Sequence, residues 1–212
     1  MKKILFFLLL TLAARPAFPQ EPEHPLTFNG VPMGGPIDEF VSEMEKRGLK
    51  LSDWNLEHAD WSLKYMTGDF AGFLCNLTIS PMFGKTWLIL VNFPEYKSWE
   101  PLQIIYEGLQ KKLIDKYGEP AEVVEEFRTD RQPETDSMRM AALHADQCRY
   151  FTRFDFDRQS IELSINNYRG DSVYVNYISL RYLTSIPEIG VINDPETDTI
   201  PAAENSVRNN NQ

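Results

Sequence analysis

The chain has 212 residues, of which 42% are hydrophobic, and it carries a formal net charge of −10 at neutral pH. This length can bury one core of substantial size, or two small ones. The acidic balance opposes phosphate backbones and anionic headgroups, so nucleic acid is excluded as an expected partner. Basic proteins, metal ions and neutral ligands remain open.

The N-terminal segment 1–20 has the composition of a secretory signal peptide. Two lysines precede an apolar run over residues 4–12, and small residues follow it. The run is too short to span a bilayer, and no later run of eighteen apolar residues exists, so we expect no transmembrane segment after it. No cysteine near the exit can carry a lipid anchor. We therefore expect a periplasmic or secreted chain, cleaved between Ala14 and Gln20, with a net charge of −13.

A lead-in rich in proline and glycine, residues 21–35, precedes the first predicted helix. Pro36 suits the first helical position, and Gly48 is typical of the residue just past a helix end. Between them, apolar residues recur at helical spacing. They predict one buried stripe consisting of Ile37, Phe40, Val41 and Met44.

Three strand-like runs follow this helix. In the first, Trp61 and Tyr65 alternate with polar residues as far as a predicted turn at 67–69. The second, residues 73–80, has apolar residues on one face and polar residues on the other. The third, residues 87–93, is apolar on both faces, which predicts a central position in a sheet.

Residues 98–117 form the longest predicted helix. Ser98 is a suitable cap at its start, and Gly118 ends it. A strand over 121–128 and a shorter helix over 133–145 follow. The core stripe of the long helix is predicted to comprise Leu102, Ile105, Tyr106, Leu109 and Leu113.

The last third of the chain is predicted to be a meander of three strands, over 149–156, 160–166 and 172–182. The tail 185–212 is acidic and rich in proline and asparagine, which predicts disorder. The order of elements indicates an α+β fold: an antiparallel sheet of about six to eight strands with two or three helices packed on one face.

We expect a single domain over 21–184. It has the form of a helix-plus-strands pseudo-repeat with halves 28–94 and 98–184, although the two halves show no convincing residue-level similarity.

The two cysteines, Cys75 and Cys148, leave two alternatives open. In an oxidising compartment a pair of cysteines suggests one disulfide. The other interpretation is two separate buried thiols that behave as small apolar side chains.

Several turn motifs together resemble a group of exported proteins of unknown function from Bacteroidales-type bacteria. The motifs are residues 28–35, 68–72 and 116–120, and they carry no chemistry. The order of elements is also similar to small periplasmic modules of the β-lactamase-inhibitor-like and outer-membrane-assembly-lipoprotein kind. Because those modules are non-catalytic and bind other molecules, the resemblance implies a binding role.

Few residues offer catalytic chemistry. His144 precedes Cys148 by four residues, but two ligands do not make a metal site, and we expect no metal and no cofactor. Paired carboxylates can hydrolyse glycosides, and Asp155, Asp157 and Glu162 flank one hairpin turn, with Asp155 and Asp157 on one strand face. The alternative is that these exposed acids at a turn only keep the chain soluble.

Three aromatic residues are candidate binding residues: Trp54, Trp61 and Tyr65. Flat exposed rings can stack on sugars or anchor a protein partner, although Trp61 and Tyr65 equally fit a strand that faces the core. Thr199 lies in an Asp-Ser/Thr-apolar tripeptide, which makes it a candidate O-glycosylation site.

The sequence therefore favours an exported binding module of the bacterial cell envelope that has no catalytic activity. Its expected partner is a protein or a cell-envelope glycan. The alternative is an envelope glycan hydrolase that uses the turn carboxylates.

Overall fold

The computed structural model describes residues 26–53, 62–170 and 173–184. In these ranges the chain forms an eight-stranded antiparallel sheet, a separate two-stranded sheet and three helices that contact the large sheet. The predicted α+β class is thereby confirmed. The predicted signal peptide 1–20 and the tail 185–212 lie outside the described residues.

The strands in the first quarter of the chain have two residues each, and the later strands are longer. In chain order they are β1 (Thr27–Phe28), β2 (Val31–Pro32), α1 (Ile37–Lys46), β3 (Lys50–Leu51), β4 (Lys64–Phe70), β5 (Phe73–Met82), β6 (Lys85–Asn92), α2 (Trp99–Tyr117), β7 (Glu122–Phe127), α3 (Asp136–His144), β8 (Cys148–Phe156), β9 (Gln159–Arg169) and β10 (Tyr174–Thr184). None of these helices combines the length and the apolar character needed to cross a bilayer.

The large sheet has the strand order β3-β4-β5-β6-β10-β9-β8-β7, and all neighbouring strands are antiparallel. The predicted halves 28–94 and 98–184 each supply four adjacent strands, which meet where β6 pairs with β10. The central position predicted for residues 87–93 is thus confirmed. The origin of the halves as a repeat stays a prediction.

The first two helices follow their predicted patterns closely. The buried residues of α1 are the four of its predicted stripe. Helix α2 buries its predicted stripe with two differences. Trp99 is buried in addition, and Ile105 is only partly buried. The start of α2 differs from the prediction, because the Ser98 side chain makes no capping hydrogen bond. Asp136 Oδ1 accepts instead from the backbone N–H groups of Trp99 at 2.8 Å and Glu100 at 3.0 Å.

Part of the predicted lead-in is an ordered hairpin. Strands β1 and β2 pair around Asn29 and Gly30, both with positive φ, as a tight two-residue turn requires. Phe28 is fully buried and stacks on Phe70 with ring centroids 5.1 Å apart. The aromatic contact explains why this segment is ordered despite its many turn-forming residues.

The turn predicted at 67–69 is wrong, because these residues continue strand β4. The chain turns two residues later, at Ala71 and Gly72. Gly68 lies inside the strand because Leu49 approaches it closely: a Cβ at position 68 would lie 3.0 Å from the Cα of Leu49. A glycine within a strand often marks such an approach.

Of the two alternatives left open for the cysteines, the structure contradicts the disulfide and agrees with two separate thiols, Cys75 buried and Cys148 half-buried. Cys75 lies on β5 and Cys148 on β8, and both are free. Three strands separate β5 from β8, which places the cysteines about 19 Å apart at a strand spacing of about 4.8 Å. A disulfide requires Cα atoms within about 7 Å.

This separation predicts the result of thiol labelling. The unfolded chain should take up two equivalents of N-ethylmaleimide without prior reduction, as measured by mass spectrometry. The folded chain should react far more slowly near neutral pH, because burial raises the pKa of both thiols to about 12 and keeps them protonated. An unfolded chain that needs reduction before it reacts would contradict the assignment.

Candidate binding face

The large sheet has one face toward the helices and one face away from them. Along the strands β4, β5, β6, β8, β9 and β10, buried side chains alternate with half-buried or exposed ones, apart from the buried Ser179 of β10. All three helices contribute to the same core cluster as the buried set, so in the described ranges they lie on one side of the sheet. The half-buried and exposed side chains, on the opposite side of the sheet, form what we call the open face. Register partners cross it in one continuous row: Tyr65, Thr78, Leu90, Arg181, Glu162, Arg153 and Glu122.

One half of this row is a ladder of alternating charge. Arg181 approaches Glu162 at 3.4 Å, and Arg153 approaches Glu122 at 3.0 Å and Asp155 at 3.1 Å. Exposed pairs of this kind add at most about 1 kcal/mol each to stability. Their main consequence is electrostatic, since both arginines of the ladder are neutralised within the chain.

The ladder also bears on the carboxylates considered for glycoside hydrolysis. Asp155 lies on the open face, but β8 ends at Phe156 and Asp157 lies in the turn beyond it. The expectation that Asp155 and Asp157 share a strand face is therefore wrong. Asp155 and Glu162 instead each accept a hydrogen bond from an arginine.

A second row across the open face consists of short polar side chains: Thr67, Asn76, Asn92, Ser179 and Ser164. Its centre is held by Asn166 of β9. The Asn166 amide nitrogen donates to the Ser179 hydroxyl at 2.7 Å and to the Ser164 hydroxyl at 3.0 Å. Both amide hydrogens are thus engaged inside the row, which fixes the orientation of this side chain.

Where this row reaches β8, Phe151 lies opposite Ser164, and Tyr177 of β10 lies opposite Asn166. We call two pairs of side chains here the arginine–aromatic patch: Arg149 with Phe151 on β8, and Tyr168 of β9 with Tyr177 of β10. The Arg149 guanidinium carbon lies 4.7 Å from the centroid of the Phe151 ring. The two tyrosine rings meet edge to face with centroids 6.2 Å apart, and Tyr168 is 54% exposed. Burial, with a smaller contribution from Tyr168, raises the pKa of Tyr177, so its hydroxyl remains protonated at neutral pH.

The predicted aromatic binding residues are only partly described. Tyr65 lies on β4 on the open face, half-buried and opposite Thr78, whereas its neighbour Met66 enters the core. Tyr65 therefore belongs to the open face and not to the core. Trp54, Trp61 and the glycosylation candidate Thr199 lie outside the described residues.

His144 is engaged at the end of helix α3. Its ring stacks on Tyr174 with centroids 4.0 Å apart, and its Nε2 lies 2.9 Å from Asn176 Oδ1. Cys148 begins strand β8, so it does not share a helix with His144. Nowhere in the described part of the chain do three or more histidine, cysteine or carboxylate side chains cluster as metal ligands would.

On the helix side, an open groove of about 370 Å³ separates α2 from α3. Its polar groups are largely engaged with one another: Asp136 caps α2, and Gln103 accepts from Trp99 Nε1 and donates to Glu107. The groove is lined by Glu100, Gln103, Ile104, Glu107, Asp136 and Arg139. The hydrogen bonds of Asp136 connect α2 with α3, so we interpret the groove as the junction between the two helices.

The arginine–aromatic patch was not predicted from the sequence, although one signal for it was present. Strand 149–156 alternates in burial, and Phe151 is an aromatic residue in the polar half of that alternation. An aromatic residue on the solvent side of an amphipathic strand is a recognisable sign of a contact surface. The contribution of Tyr168 and Tyr177 depends on strand pairing and has no local signal.

Comparison of the chain with protein-family models, with curated proteins and with solved structures gave no match.

Proposed function

We propose that the chain is an exported, non-catalytic binding module of the bacterial cell envelope that recognises a protein partner with its open face. The observation that carries this proposal is the arginine–aromatic patch on a sheet face that no described helix covers. Tyrosine and arginine are enriched among the residues that dominate the energy of protein interfaces. The N-terminal segment 1–20 supports export.

The size and rigidity of the open face agree with this role. Eight strands at about 4.8 Å spacing give a width of about 34 Å, enough for the roughly 800 Å² per partner of a standard protein interface. The polar row and the charge ladder hold their side chains in place before binding. A partner therefore meets side chains that lose little conformational entropy on contact.

The composition of the face favours a protein over a glycan. Half-buried aliphatic side chains lie on its central strands, at Leu88, Leu90 and Leu183. Mixed aliphatic, tyrosine and arginine surfaces with a polar surround are typical of protein interfaces.

Photo-crosslinking tests the proposal at two matched exposed positions. The crosslinking residue p-benzoylphenylalanine replaces Tyr168 on the open face or Ile104 on α2, which are 54% and 61% exposed. In the native host we expect one protein adduct from position 168 and none from position 104. The same adduct should be lost when Tyr177→Ala is added, with circular dichroism showing a folded chain.

Two results would count against the proposal. Equal adducts from both positions, or an adduct at 168 that survives Tyr177→Ala, would remove the open face as the binding surface. An adduct that a glycan-degrading enzyme digests and a protease does not would show that the partner is a glycan.

A further inference from the structure

The three arginines of the open face differ in their carboxylate partners. Arg153 and Arg181 each pair with acids of this chain. Arg149, which is exposed, makes no ion pair with any residue in the described ranges. Its register partner Glu126 is already engaged, because Glu126 Oε1 accepts from Arg128 Nε at 2.7 Å.

Stacking on Phe151 holds the Arg149 guanidinium in place without using its donors. A guanidinium presents its N–H groups in a rigid planar fork that matches the two oxygens of a carboxylate. Since the ring fixes this fork before binding, less side-chain entropy is lost when an acid arrives. The arrangement suits a bidentate carboxylate contact.

The surroundings of Arg149 suit a peptide better than an isolated anion. Asn166 lies on the neighbouring strand, and its amide nitrogen is occupied by Ser164 and Ser179, so its carbonyl oxygen is left as an acceptor for an N–H group. Tyr177 of β10 lies opposite Asn166, and its ring and that of Tyr168 add an apolar surface next to Asn166. A carboxylate, a backbone N–H and an apolar side chain occur together in an acidic peptide segment.

We infer that Arg149 is the anchor for an acidic side chain of the partner, on an extended segment that places an apolar or aromatic residue against Tyr168 and Tyr177. This inference rests on the proposed protein-binding function. Close to Arg149 the opposing charge is that of its register partner Glu126, which is paired with Arg128, and charges beyond about 8 Å are screened at physiological salt. The contact at Arg149 is therefore local and sensitive to salt.

The test uses random twelve-residue peptides displayed on phage and selected on the immobilised full chain. We expect the selected peptides to contain aspartate or glutamate next to an aromatic or aliphatic residue. A selected peptide and its counterpart with the acid replaced by the amide should differ roughly ten- to hundredfold in affinity for the native chain, as a charge-assisted hydrogen bond allows. Both peptides should bind Arg149→Gln equally and weakly.

Two further variants separate anchoring from simple charge. Arg149→Lys keeps the charge but lacks the fork, and we expect it to recover only part of the affinity. Lys112→Gln removes one positive charge from the exposed side of α2, and we expect it to bind as the native chain does. Equal losses of peptide affinity in Arg149→Gln and Lys112→Gln would overturn the role of Arg149 as the anchor.

The remaining outcomes distinguish this inference from the proposed function. Peptides that are lost in Tyr177→Ala but show no preference for acids would overturn the Arg149 anchor and leave the open face as the binding surface. Selected peptides that no open-face variant weakens would overturn both. Binding of an oligogalacturonate through Arg149, with no peptide selected, would assign the carboxylate to a sugar and also overturn the inference.

Discussion

Raising the pH from 9 to 11 is expected to lower the free energy of unfolding by on the order of 5 kcal/mol. The loss comes from buried acids whose pKa values are higher in the folded chain than in the unfolded one. Burial, aided by the nearby Asp69, raises the pKa of Cys75 from 9.0 to about 12. Burial likewise raises the pKa of Tyr106 and Tyr182 above the ordinary 10.0.

The sign follows from proton binding. Below pH 9 the thiol is protonated in both states, so its contribution to stability is fully present. Between pH 9 and pH 12 the unfolded chain releases the Cys75 proton while the folded chain retains it. Stability therefore falls by about 1.4 kcal/mol per pH unit for this group, and the two tyrosines add to the slope above pH 10. Burial also raises the pKa of Cys148 to about 12, so this thiol adds to the loss over the same pH range.

Urea unfolding at pH 8, 9, 10 and 11 measures this slope. The double variant Cys75→Ala, Cys148→Ala should be nearly insensitive to pH between 9 and 10, and it should lose stability only above pH 10, where the tyrosines ionise. A native chain that is equally stable at pH 9 and pH 11 would refute the prediction. So would a double variant that keeps the full native slope below pH 10.

The substitution Trp99→Ala is expected to destabilise the fold by about 3–5 kcal/mol. Trp99 is fully buried at the first turn of α2, and its ring lies 5.0 Å from Phe127 and 4.9 Å from Tyr150, measured between centroids. The indole N–H donates to Gln103 at 2.9 Å. Alanine would leave a cavity where the helix meets β7 and β8.

Urea unfolding at neutral pH checks this value against two controls. Trp99→Phe keeps much of the aromatic volume and should cost clearly less than alanine. Ile104→Ala lies on the same helix but is 61% exposed, so it should change stability by less than about 0.5 kcal/mol. A loss below about 1 kcal/mol for Trp99→Ala would show that this contact does not hold the helix to the sheet.

The helices and strands whose burial pattern depends only on residues close in sequence were well predicted. The stripe of α1 and the alternation of β5 each result from a local period that only one type of element satisfies. The turn predicted at 67–69 is wrong because Gly68 has a packing role within β4 that the local sequence does not show. That glycine makes room for Leu49, which is nineteen residues away along the chain.

The candidate site was much less predictable. Tyr65 was identified from its type, but its position on the open face was one of two alternatives. The patch formed by Arg149, Phe151, Tyr168 and Tyr177 draws on three strands. Its two pairs come onto one face through strand register, since Phe151 lies opposite Ser164 and Tyr177 lies opposite Asn166, two residues farther along β9.

The sequence by itself determined the three described helices, the strands β4–β10 in outline and the α+β class, because periodic burial of apolar side chains is a local property. Only the tertiary structure decided which distant groups meet. Asp136 caps a helix that begins 37 residues earlier, and Cys75 and Cys148 are held apart by three strands. Among the described residues, Arg153 and Arg181 form ion pairs, whereas Arg149 forms none because its register partner Glu126 is paired with Arg128. These contacts are set by strand order and register, which many residues fix together and no single segment encodes.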